Sequence, residues 1–334
     1  MFNLKNLRRL MLLNGSMYMC GEGAFLLLGN RPRITNLWSK IVDGENREWL
    51  SRVVVESTLP YEYALKEING GILLECSGVE VNMPEGKLEV NDGLLRDINI
   101  AQTGHGSVRI QMSLEYPAVY KHAVYKGFPS RLVIGLDRSF ITGLMSGKKI
   151  VVDPGHGGKD FGGRGPVSLL EKNVVMPIAV NLENVLKRIG AKVTLTRSSD
   201  KDISGEERAA LALNVNADAY ISIHTGASAD SGMEGAATLY APHDNGSARL
   251  ALYIQEEIIK KLKVRDRGTA GQPGLARIDK RIPAVEVEVV TITNIVEEVF
   301  LRGLTIQERA AEGILNGLIK YFASDRLNAK GDKK

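Results

Sequence analysis

Four residues carry the chemistry this sequence is equipped to do. His156 stands in Asp153-Pro-Gly-His-Gly-Gly158, directly after the apolar run Ile150-Val-Val152. Glu171, in Leu170-Glu-Lys172, opens a helical pattern. His224 closes Ile221-Ser-Ile-His224, and Glu288 closes Pro283-Ala-Val-Glu-Val-Glu288. Two neutral imidazoles and one carboxylate form a catalytic zinc set that leaves a fourth tetrahedral position for water. A further carboxylate beside that water would act as general base. Amide hydrolysis needs a hydroxide-like nucleophile at neutral pH and a Lewis acid at the carbonyl. Zinc supplies both, lowering the pKa of bound water to roughly 7.

Each residue also has a plainer reading. A histidine at a strand end is more often structural than a ligand. Glu171 would be favoured at the positive end of any helix. Glu288 could be an ordinary strand carboxylate, although an acid in an apolar strand costs desolvation unless it is used. Gly155-His-Gly-Gly-Lys159 could cradle phosphate, but it lacks the Gly-Lys-Ser/Thr of a P-loop and does not fit G-x-G-x-x-G. Spacing alone leaves these alternatives open.

All four residues end, or follow, predicted strands, and ligands in open α/β sheets collect at the carboxyl ends of strands. Strand-like runs at Lys149–Val152, Lys192–Thr196, Ala219–Ile223 and Ala284–Val287 alternate with helical patterns near 171–189, 204–217, 247–263 and 305–323. That alternation predicts an α/β domain over 148–325, with a mostly parallel sheet covered by helices. Before it, residues 48–138 read as short strands with period-two alternation, such as Arg52–Glu56, Ile72–Cys76, Val108–Met112 and Leu132–Leu136. Turn signals (Asn69-Gly-Gly71, Asn91-Asp-Gly93) separate them. The expectation is an all-β antiparallel sandwich. An internal echo of Arg52–Val55, Leu59–Tyr63 and Gly71–Leu74 in Val108–Ile110, Tyr116–Tyr120 and Arg131–Ile134 suggests two similar half-sheets. Residues 139–147 read as a linker and 326–334 as a polar tail. His105 and His122 stand alone and read as surface or turn residues.

Composition narrows the classes. With 334 residues and 44% hydrophobic content the chain can fill two domains. The 43 basic residues are offset by 39 acidic ones, a net charge of +4. They are scattered, so a nucleic-acid partner is not expected. Only two cysteines are present, Cys20 and Cys76, so any metal must be held by histidine and carboxylate. Residues 1–40 begin with Lys5, Arg8 and Arg9 before an apolar stretch from Leu10 to Leu28. This is the outline of an export signal or anchor, and so of a membrane association, although Glu22 interrupts it and no clean small-x-small cleavage site follows. The alternative is a folded N-terminal arm.

The run Ile150-Val-Val-Asp-Pro-Gly-His-Gly-Gly-Lys-Asp160 with Glu171-Lys172 resembles the opening motif of zinc-dependent N-acetylmuramoyl-L-alanine amidases. Val193-Thr-Leu-Thr-Arg197, Asp200, Arg208 and Ala217-Asp-Ala-Tyr-Ile-Ser-Ile-His224 continue the likeness in the same order. Pro283–Glu288, Ile292-Thr-Asn294 and Glu297-Glu298 match the last motif. The resemblance implies a Zn²⁺ cofactor held by His156, Glu171 and His224, with Glu288 as catalytic glutamate. It also implies a peptidoglycan substrate, cut between N-acetylmuramic acid and L-alanine, and a location in the bacterial cell envelope. The order Leu94–Gln102, Val108–Met112, Arg131–Ile134 resembles the AMIN domain of cell-wall amidases, a small β-sandwich that targets the enzyme.

Several positions depart from the family pattern. Gly226 stands where asparagine is usual after the second histidine. Val290-Thr291 replaces a Gly-Phe pair, and Leu213 an asparagine. Glu286 replaces a leucine two residues before Glu288, where it could compete for metal or raise the pKa of Glu288. Pro177 falls inside the helix after Glu171, predicting a kink or a late helix start. The losses at positions 226, 290 and 291 motivate one rival, an inactive pseudo-amidase that binds wall or activates a partner; a second is a zinc peptidase using the same metal set on another amide. Ser247 to Lys263 reads as an ordinary amphipathic helix, so no long insert is expected over the metal.

Overall fold

The computed structural model describes residues 31–44, 48–243 and 246–331. Its N-terminal half is built from ten strands: β1 (Arg33–Asp43), β2 (Trp49–Ser57), β3 (Glu62–Ile68), β4 (Gly71–Ser77), β5 (Glu80–Val81), β6 (Gly86–Glu89), β7 (Leu95–Gly104), β8 (Ser107–Leu114), β9 (Tyr120–Tyr125) and β10 (Ser130–Asp137). They form two five-stranded sheets, ordered β5-β1-β2-β10-β9 and β3-β4-β8-β7-β6. Every pairing is antiparallel except the short β1–β5 contact. The alternation seen in sequence becomes alternation in burial. Val53, Val55, Leu132 and Ile134 of the first sheet join Leu74, Ile98, Ile110 and Met112 of the second in one apolar cluster.

The internal echo does not assign one copy to each sheet. The first copy supplies β2 to one sheet and β3–β4 to the other; the second supplies β8 and β9–β10 in the opposite sense. The copies therefore pair across each other, β2 with β10 and β4 with β8. Sequence similarity could reveal the repeat but not which partner each copy chooses.

The second half begins with α1 (Ser139–Met145) and continues through β11 (Lys149–Pro154), α2 (Glu171–Arg188), β12 (Lys192–Leu195), α3 (Gly205–Asn214), β13 (Ala219–Gly226), β14 (Ala236–Tyr240), α4 (Ser247–Leu262), β15 (Asp266–Gly271), β16 (Ala284–Thr291), α5 (Ile295–Leu301) and α6 (Leu304–Gly331). Its sheet is mixed, ordered β12-β11-β13-β16-β14-β15, with β14 antiparallel to β16 and the other neighbours parallel. Helices α2, α4 and α6 pack on the sheet or on one another through Val175, Ile178, Leu182, Ile254, Ile258, Ile314 and Leu318, all buried.

Three segments differ from expectation. Residues 33–40, read as part of an arm, pair along β2 as β1. The stretch read as a linker contains α1, whose Ile141, Leu144 and Met145 are buried. The backbone of α6 stays helical to Gly331, through part of the expected tail. Residues 1–30, which carry the export-signal outline, lie outside the described residues. No described helix is long and apolar enough to cross a membrane.

Buried Arg138 sits at the junction of the halves. It donates to Ser51 Oγ at 2.7 Å, Asp92 Oδ1 at 3.0 Å and the Asp92 carbonyl at 2.8 Å, and its guanidinium lies over Trp49. Asn316 of α6 donates to the Asn91 carbonyl at 3.0 Å, and Arg188 of α2 pairs with Asp43. Residues of both halves belong to one continuous hydrophobic cluster.

Candidate metal centre

Parallel register brings the chemistry to one sheet edge. Pro154 pairs with Ile223, so His156 emerges just past the end of β11, beside the end of β13. His224 stands opposite Glu288 in the β13–β16 register. Glu171 begins α2 and reaches between the histidines.

Glu171 bridges the two imidazoles. Its Oε2 lies 3.1 Å from His156 Nε2, and its Oε1 3.0 Å from His224 Nδ1. The same oxygens accept backbone N–H groups from Gly163 at 2.7 Å and Thr225 at 2.8 Å. The ring centroids of the histidines are 4.8 Å apart and the planes nearly perpendicular. One donor atom from each of His156, Glu171 and His224 falls within 4.8 Å of the others. Nitrogen, nitrogen and carboxylate oxygen at this spacing, with both histidines about 20% exposed, suit a three-ligand zinc site open to solvent.

His156 has φ +60°, the left-handed region that a non-glycine residue enters at a cost. Cations hold the carbonyls around it. Arg197 donates to the carbonyls of Pro154 at 2.9 Å and Gly155 at 2.7 Å, Arg208 to that of His156 at 2.9 Å, and Lys172 to that of Gly158 at 2.8 Å. Below the loop, buried Asp153 accepts from Tyr220 at 2.5 Å and Ser222 at 3.0 Å, and pairs with Arg208 and Thr196. Burial would raise the Asp153 pKa, but Arg208 and these donors hold it below the usual carboxylate range. Gly155 is set by close approach. A Cβ there would run into the His224 ring, so the space it leaves is taken by that imidazole.

The electrostatics follow from the bridge. Burial opposes charge on His224, but the hydrogen bond to Glu171 and the nearby Glu286 and Asp153 carboxylates outweigh it, pushing its pKa up to about 9. Burial likewise opposes the Glu171 anion, yet both histidines hold its pKa far below the usual range. His224 thus contributes stability to the metal-free protein below its ordinary pKa of about 6.5 and loses it as pH rises through about 9. Calorimetry of the metal-free protein should show Tm falling across that window. Zinc held by these imidazoles would keep them deprotonated and should remove this slope. A Tm that rises across the window in the metal-free protein would refute the bridged arrangement.

Glu288 faces the same edge, about 18% exposed, and accepts from Arg267 of β15 at 2.7 Å. Sequence reasoning did not single out Arg267, which lies on a short strand too rich in glycine to read as one. Nor did it give a role to Asp160, whose Oδ2 lies 2.8 Å from His156 Nδ1, although Asp160 stands in the quoted motif. Glu286 is near His224 Nε2, at 3.9 Å.

A family model described as N-acetylmuramoyl-L-alanine amidase matches residues 150–320, just over half of the chain. The chain belongs to this amidase family. The probable cell wall amidase LytH of Staphylococcus epidermidis is 35% identical over 200 residues, 59% of this chain and 66% of that one. The chain thus spans just under two thirds of that relative's length. An N-acetylmuramoyl-L-alanine amidase structure from Clostridium difficile 630 superposes with a TM-score of 0.51 at 33% identity, covering 54% of this chain and 98% of that one. The amidase AmiC2 of Nostoc punctiforme gives 0.50 at 32%, covering 53% and 99%.

The departures from the amidase pattern now have places. Val290 and Thr291 are buried; Thr291 donates its N–H to Glu297 at 2.7 Å and its hydroxyl to the Gly235 carbonyl. A Cβ at Gly226 would meet Arg267 Nη1 at 2.5 Å and Glu288 Oε2 at 3.3 Å. That glycine borders the Arg267–Glu288 pair. Leu213 is exposed on α3. The helix carrying Pro177 starts at Glu171 and not late, so the ring sits in its second turn and the Asn173 carbonyl loses its regular donor. Buried Glu298 accepts from the backbone of Val167 at 2.6 Å and Leu169 at 2.9 Å, tying the loop before Glu171 to α5. Between His224 and Glu288, α4 packs chiefly on α6 and β14.

Proposed function

We propose that this chain is a zinc-dependent peptidoglycan hydrolase that cleaves the amide between N-acetylmuramic acid and the L-alanine of the stem peptide. The observation that carries the reading is the His156–Glu171–His224 cluster, with Glu288 opposite His224 at the same strand end. Zinc bound there would supply Lewis acidity to the lactyl carbonyl and make water a competent nucleophile near pH 7. The chain's own groups do the rest. Glu171 would hold the metal beside both imidazoles, its two oxygens oriented by the Gly163 and Thr225 N–H groups. Glu288 takes a proton from the attacking water and returns it to the leaving alanine amine. Arg267 fixes the Glu288 carboxylate while it does so.

The likeness to cell wall amidases supports a place in the cell envelope. In this reading the two N-terminal sheets form an AMIN-like sandwich that targets the enzyme, and residues 1–40 include its export or anchoring segment. The burial of both sheets' apolar faces in one cluster supports the sandwich.

The test is digestion of purified peptidoglycan with mass analysis of the products. Stem peptides beginning with alanine should appear, vanish on chelation and return with zinc. Peptides cut internally would favour the zinc peptidase. Intact glycan–peptide links at one zinc per chain would leave a binding protein.

A further inference from the structure

Each histidine of the centre turns one ring nitrogen to Glu171 and the other to a second carboxylate. For His156 the outer partner is Asp160, four residues along the same loop, at 2.8 Å. For His224 it is Glu286, at 3.9 Å from Nε2, contributed by a different strand. Glu286 lies two residues before Glu288 on the same face of β16, opposite Ser222 of β13. It is about 19% exposed, and its Oε1 accepts from Gln272 Nε2 at 3.2 Å. An acid placed in so apolar a strand carries a desolvation cost that such partners must offset. Glu286 does not belong to the three-residue donor cluster: it approaches His224 from the nitrogen that faces away from Glu171.

We propose that Glu286 is a positioning residue, accepting the outer N–H of His224 and so fixing the tautomer and ring plane that aim Nδ1 at the metal. The inference rests on the zinc reading above. A 3.9 Å separation becomes a hydrogen bond with a small side-chain rotation or through one bridging water. A carboxylate on the far nitrogen of a ligating imidazole orients the ring and raises its basicity, and its loss weakens metal affinity about 10–100-fold. The two histidines would then be held alike, one by a loop aspartate and one by a strand glutamate.

The experiment is zinc competition against a chromophoric chelator, using the full chain and the variants Glu286→Leu, Glu286→Gln, Glu288→Gln and His224→Ala. Glu286→Leu should lose about 10–100-fold in zinc affinity. Glu286→Gln, which is nearly isosteric and keeps an acceptor oxygen, should recover most of it, and Glu288→Gln should bind like wild type. Cobalt-substituted wild type and Glu286→Leu should show the same four-coordinate absorption. Wild-type affinity in Glu286→Leu, with binding lost in His224→Ala, would overturn the positioning role alone. A cobalt spectrum that loses a ligand in Glu286→Leu would make Glu286 a ligand, which also overturns it. No zinc in the wild type, or zinc kept by His224→Ala, would overturn the zinc reading beneath it.

Discussion

Replacing Glu288 by glutamine should lower kcat by roughly 10²–10⁴-fold while one zinc per chain is retained, the range a positioned general base contributes. The expectation separates chemistry from metal holding. Glu288 reaches the sheet edge from β16 and pairs with Arg267, whereas the donor atoms that converge come from His156, Glu171 and His224. Glutamine keeps the shape and an oxygen for Arg267 but cannot accept the proton. Steady-state rates on soluble muropeptides, with metal content measured on the same sample, decide the matter. Near-wild-type turnover would remove Glu288 from its role.

Glu171→Ala should have the larger structural effect. It removes the carboxylate that joins the imidazoles and also the acceptor for the Gly163 and Thr225 N–H groups. Zinc should be lost and turnover should fall to background. In the metal-free protein at pH 6, where the imidazoles carry charge, removing one partner of a buried ion pair costs about 3–5 kcal/mol. Denaturant unfolding measures that loss, and metal analysis the first effect. A variant that still holds one zinc per chain would show that Glu171 is not a ligand.

Much of this arrangement could be read from the sequence, for physical reasons. The strands at Lys149–Val152, Ala219–Ile223 and Ala284–Val287 are apolar because helices or loops cover both faces, so burial marks them clearly. His156, Glu171 and His224 follow such strands or open a helix, and the fold brings those points together. What escaped notice depends on partners distant in sequence. β1 looked like an arm because its polar and apolar residues make sense only against β2. β15 is short, exposed and glycine-rich, and its Arg267 matters only because β14 carries it to Glu288. Glu286 stood out as an acid in an apolar strand, but its contacts with a histidine on another strand and with Gln272 are set by the fold.

The junction around Arg138 bears on how the molecule could be divided. The family model begins at Ile150, yet the buried core does not stop there. Buried Ile141 and Met145 precede that boundary, and Asn316 on α6 holds a loop of the N-terminal half. A segment cut to residues 150–320 would lose α1 and uncover the part of α6 that α1 packs against. What the family model spans and what packs as one core are therefore different lengths of polypeptide. An engineer moving this amidase half into another protein would need to carry α1 with it and repaint the face around Arg188 and Asn316 that Asp43, Trp49 and Asn91 now meet.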